Sequence, residues 1–138
     1  MVPKLLERRG QPFVMISSGV DPRLVRLTVG HELFHALFFT NAKFRRHVFN
    51  FWENSVSAAD RRAFLAGMLW AYPTMKKDRF LVVNEFLAYV LQPDAVQSLR
   101  DHRSEEFRSI AWIPEKYIPL LRASLRDAGF VSELDPKL

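Results

Sequence analysis

The chain has 138 residues, of which 49% are hydrophobic and 25% charged. These proportions suit one globular domain with a real core and exclude a disordered chain. It has no cysteine, which excludes disulfides, thiolate nucleophiles, iron–sulfur clusters and Cys-ligated zinc, so any metal must be held by His, Asp or Glu. The net charge of +5 is spread over short pairs (Arg8-Arg9, Arg45-Arg46, Arg61-Arg62, Lys76-Lys77), which read as solvated surface and argue against a nucleic-acid partner.

Pro12 to Ser17 reads as one short strand, with Ser18-Gly19 as a turn. Asp21-Pro22 then opens a helix, the Asp as cap and the Pro at the first helical position, running to about Phe39. Thr40-Asn41 ends it, and a basic aromatic segment follows from Lys43 to Trp52. Ser57-Ala-Ala-Asp60 resembles a capping box and predicts a second helix from Ala58 to about Ala71, closed by Pro73. A third helix is expected from Asp78 to Gln92, stopped by Pro93, with a shorter one through Arg100 and a loop or short helix over Asp101 to Ser109. Pro114 opens a last helix ending at Gly129, with Tyr117, Leu121, Leu125 and Ala128 at helical spacing. The expected fold class is mainly α with one or a few short N-terminal strands (α+β). No stretch reaches the ~20 apolar residues of a membrane span, and the first residues lack a signal-peptide core, so the expectation is a cytoplasmic chain.

The chemistry sits in Gly30-His31-Glu32-Leu33-Phe34-His35-Ala36, an H-E-x-x-H pattern on the first helix. Residues four apart share a helical face, so His31 and His35 aim their imidazoles at one point, where a zinc ion would take them at about 2.0–2.1 Å. Glu32 is rotated off that line, in the place of a general base acting on water. The surrounding run is apolar, and burying such side chains is costly unless they are paired or bound to a metal. A third His shortly after His35 is absent, and the remaining histidines are His47 and His102. Glu85, a carboxylate inside Phe80-Leu-Val-Val-Asn-Glu-Phe-Leu-Ala-Tyr-Val-Leu91, is the better third ligand, with Asp78 and Glu53 as weaker alternatives. Zinc is inferred from ligand type, although imidazole and carboxylate also accept other first-row metals.

His31-Glu-Leu-Phe-His35 followed by Asn84-Glu-Phe-Leu-Ala-Tyr89 resembles the gluzincin-type zinc metallopeptidases over about Val20 to Asp94. Glu85-Phe-Leu-Ala88 is similar to the ligand helix of the anthrax lethal factor and Mlc-titration-factor branches. Leu91-Gln-Pro93 gives a looser likeness to the ImmA/IrrE peptidases. The resemblance implies a zincin-like core in a single domain 1–138, with the metal site over about 20–94 and a helical part over 95–138. It also implies one Zn2+ on His31, His35 and Glu85, with Glu32 as catalytic base. Two features depart from the pattern. His35 and Glu85 are widely separated, and Tyr89 stands where a thermolysin-like chain has an Asp four residues after its ligand Glu.

A donor is needed for the developing oxyanion, and Tyr72, Tyr89, His102 and Tyr117 all qualify by type. Tyr89, one turn from Glu85, is nearest in register. Phe38, Phe39, Phe44, Phe49, Phe51, Trp52 and Trp70 read as core before substrate pocket. The expected function is a zinc-dependent hydrolase, a peptidase acting on a peptide or protein substrate. The alternative is a non-catalytic metal-containing module in which Lys43 to Trp52 binds a protein or nucleic acid.

Overall fold

Polar caps and prolines divide the chain into helices in the computed structural model, which describes residues 22–130. The strand expected at Pro12–Ser17, the turn at Ser18-Gly19 and the Asp21 cap lie outside the described residues. Within them the chain is mainly helical, with no strand. The order is α1 (Pro22–Thr40), α2 (Ala42–Ser55), α3 (Ala58–Met68), a 3-10 turn (Pro73–Lys77), α4 (Arg79–Leu91), α5 (Ala95–Arg100), α6 (Glu105–Ser109) and α7 (Trp112–Asp127).

The basic aromatic segment, left unassigned above, is α2. Asn41 ends α1, and its side chain accepts a hydrogen bond from the Phe44 amide, capping α2 at once. Phe44, Val48, Phe51 and Trp52 then fall on one face and are buried, so most of the aromatic content of this segment faces the core. Ser57 caps α3 by accepting from the Asp60 amide, and Asp78 caps α4 by accepting from the Leu81 amide. Helix α3 stops at Met68, three residues short of expectation. Helix α7 starts at Trp112, ahead of Pro114, and ends in a reverse turn: Gly129 takes φ +89° and the Phe130 amide reaches back to the Leu125 carbonyl.

Helix α4 is the centre of the molecule. Nine of its thirteen residues are buried, and it packs against α1, α2, α5 and α7. Phe86, Leu87 and Val90 are wholly enclosed, each worth about 1.5–3 kcal/mol relative to exposure. Helix α3 meets α6 so closely that a Cβ on Gly67 would lie 2.5 Å from Ile110. Helix α1 runs antiparallel to α4, since His31 reaches Gln92, His35 reaches Asn84, and Phe39 meets Phe80. That pairing places polar residues of the two helices opposite each other. No helix among the described residues is long and apolar enough to cross a membrane.

Candidate metal centre

His31 and His35 project from α1 toward α4, one turn apart, with their Nε2 atoms 3.0 Å from each other. Glu85, in the middle of α4, brings one carboxylate oxygen to 3.7 Å from His31 Nε2 and the other to 3.7 Å from His35 Nε2. Four-coordinate ligands about 2.1 Å from a shared centre stand about 3.4 Å apart, and the observed separations straddle that spacing.

The opposite edge of each imidazole decides what the Nε2 atoms carry. His31 Nδ1 is 2.7 Å from Gln92 Oε1, and His35 Nδ1 is 3.0 Å from Asn84 Oδ1. The Gln92 amide nitrogen faces Ser98 Oγ, which orients its carbonyl oxygen to His31. With each ring in the tautomer whose Nδ1 donates to its amide oxygen, each Nε2 presents a lone pair. In that tautomer two lone pairs face one another and a carboxylate. Glu85 Oε2 is buried and has no hydrogen-bond partner. Left so, the arrangement repels itself and strands a charge in the interior. A divalent cation fits it, because it satisfies all three groups together.

Glu32 leaves α1 to one side of the histidines. Its carboxylate and the two imidazoles offer ligand atoms that all lie within 4.8 Å of one another, a group able to hold a metal ion. Tyr89 packs the edge of its ring on His31, with centroids 4.7 Å apart. Burial, then the neighbouring Tyr72, holds the Tyr89 phenol far above the usual range. Tyr72, just ahead of the 3-10 turn, is raised as well, first by burial and then by the negative charge of Glu85, with Glu32 adding to it. Both phenols therefore keep their protons and remain donors beside the site.

The other sequence candidates stand elsewhere. Tyr117 gives its hydroxyl proton to Asp60 and accepts from the Ser57 amide, fastening α7 to the start of α3. His102 packs on Phe107, and its Nδ1 accepts from the Ser104 amide; burial and the Arg108 and Arg103 charges lower its pKa. His47 bonds Ser124 across the α2–α7 groove. Glu53 pairs with Arg61 and Arg79 on the surface, and Asp78 serves as the α4 cap, so neither weaker ligand candidate reaches the histidines. Phe39 and Trp70, read as core, are exposed.

Asn84 and Gln92 were missed as site residues. Part of their signal was available, since Gln92, seven residues after Glu85 in an apolar stretch, returns to within about 20° of its line on a helix, whereas Asn84 is turned about 100° away. No known protein family, curated protein or solved structure matches this chain.

Proposed function

We propose that the chain is a zinc-dependent hydrolase, most simply a peptidase, with one zinc ion on His31, His35 and Glu85. The observation that carries this reading is the convergence of two imidazole Nε2 atoms on a buried carboxylate whose Oε2 has no hydrogen-bond partner. Bound there, the cation would supply Lewis acidity to a water molecule and to a substrate carbonyl. Glu32 takes the proton of the attacking water and passes it to the departing amine nitrogen, a transfer worth roughly 10²–10⁴ in rate. Tyr72 and Tyr89, both held protonated, are the donors for the carbonyl oxygen as charge develops on it. Tyr89 also braces the His31 ring against rotation.

A zincin-like fold fits the antiparallel α1–α4 pair and belongs to the same proposal. The non-catalytic alternative draws on one observation, the nearness of the Glu32 carboxylate to both imidazoles, from which it would close the centre as a fourth ligand. Glu32→Gln separates the two readings. A peptidase variant keeps one equivalent of zinc and loses turnover of a peptide library by at least about a hundredfold. A structural centre instead loses zinc, and the wild-type protein cleaves nothing. Undiminished cleavage by a clean Glu32→Gln preparation removes Glu32 from the reaction.

A further inference from the structure

Four phenylalanines gather where the C-terminal end of α1 meets the start of α4, beyond the metal centre. Phe38 is fully buried against Phe80, at 4.9 Å between centroids, and Phe49 packs on both, 6.0 Å from Phe80 and 5.6 Å from Phe38. On this base Phe39 and Phe80 stand face to solvent, 56% and 39% exposed and 5.7 Å apart. Large aromatic side chains left open beside one another mark a contact surface more often than a solvated one.

The place of this pair relative to the candidate base is given by helix geometry. Phe39 is seven residues beyond Glu32, so it lies within about 20° of the same line on α1 and about 10 Å further along. An extended peptide advances about 3.3 Å per residue. A peptide lying along the Glu32 edge of α1, with its scissile bond at Glu32, brings a side chain to Phe39 about three or four residues from that bond.

The rim of the patch is basic. Arg45 lies against the end of α1, donating to the Phe38 and Phe39 carbonyls at 2.9 and 3.0 Å; the Arg79 guanidinium sits 5.5 Å from the centre of the Phe49 ring but is paired with Glu53, so the free positive charge comes from Arg45 and the lysines. Lys76 and Lys77 are exposed just before α4, while Asp78 is engaged as the α4 cap. An acidic residue beside an apolar one complements such a surface.

We infer that Phe39 and Phe80 form a specificity subsite of the same site, taking an apolar substrate side chain, flanked by a carboxylate, about three or four positions from the bond cleaved. The inference rests on the peptidase reading. It assigns Phe39 and Phe80 to substrate recognition and gives them no part in proton transfer.

The test uses the full chain loaded with zinc and a randomised peptide library, with cleavage points read by mass spectrometry. An apolar residue is enriched about three or four positions from the cut, with acidic residues next to it. Phe39→Ala abolishes that enrichment. For a single peptide bearing the anchor, the variant raises KM roughly tenfold and leaves kcat within about twofold, as loss of apolar contact outside the reacting atoms requires. Phe39→Leu restores most of the loss. A labelled anchor peptide bound to Glu32→Gln weakens by the same factor when Phe39→Ala is added, a readout independent of turnover. Because Phe39 is exposed, thermal unfolding of Phe39→Ala matches the wild type. Cleavage without such a preference, or a preference that survives Phe39→Ala, overturns the subsite and leaves the peptidase reading standing. So does a wild-type dimer that dissociates in Phe39→Ala with its cleavage pattern unchanged, since the patch is then a self-association surface. Failure of the wild type to cleave any peptide overturns both.

Discussion

Gln92 and Asn84 hold the two imidazoles by their Nδ1 edges, and both amides are themselves buried. Removing either frees a ring to rotate and to change tautomer, and groups that orient ligands in this way typically carry 10–100-fold in metal affinity. Gln92→Leu and Asn84→Leu are therefore expected to weaken zinc binding by roughly 10–100-fold, measured by competition with a chromophoric chelator, while helical content stays as it is. Affinity equal to wild type in both variants would show that the rings need no such support. The proximity of His31 and His35 was readable because a fixed spacing of four on a helix leaves little freedom. Glu85 was readable because an acid amid Val, Phe and Leu demands a partner. The choice among tyrosines was harder, since a phenol is at home in a core or at a site. Its role depends on which helices bring it near Glu85, and that is a tertiary fact. Tyr72 shows the point: the short 3-10 turn that follows it is what lets the chain turn back into α4 beside the centre.

Between elements, one polar fastening is Asp60, which receives Lys116 Nζ at 2.6 Å and the Tyr117 hydroxyl, joining α3 to α7. The Lys116 hydrogen bond, then that of Tyr117, lowers the Asp60 pKa below its ordinary 3.8 in the folded chain. A carboxylate depressed on folding adds stability that is complete above the unfolded value and disappears as pH falls through the folded one. The stability gap between wild type and Asp60→Asn should therefore be full at neutral pH, begin to narrow near pH 3.8, and close at still lower pH. Urea unfolding across that range reads it, and a gap that stays constant into acid refutes the linkage. Ser57 and Asp60 were legible as a cap, but the second use of Asp60 was not, because Lys116 lies far along the chain. A similar double use hid α2. Asn41 was read as a stop for α1 and is equally the start of α2. The Phe44, Val48, Phe51, Trp52 spacing, which is helical, was masked by the arginines and asparagine between them.

Across the whole molecule the candidate centre links the most buried helix to a less buried one. Helix α4 is enclosed along most of its length, whereas α1 has only Gly30 and Phe38 fully buried from Val25 onward, its other described side chains being half-buried or exposed. The hydrophobic contribution that anchors α4 is thus larger than the one that anchors α1. A cation shared by His31, His35 and Glu85 would tie the weaker element to the stronger. A ligand that binds only the folded state stabilises it by about 2.7 kcal/mol at a hundredfold excess over its dissociation constant. For a domain of this size that is on the order of 10 °C in Tm. Stripping the metal with a chelator is expected to lower Tm by about that amount, and Glu85→Ala to make the protein indifferent to both zinc and chelator. The loss should also be local. Amide hydrogen exchange should rise in α1, above all around His31 to Phe39, while α4 and α7, which keep their packed apolar faces, change little. A uniform rise over all helices would mean that the cation supports the fold as a whole, and an unchanged α1 would mean that packing with Phe38 and Phe34 already holds it without the metal.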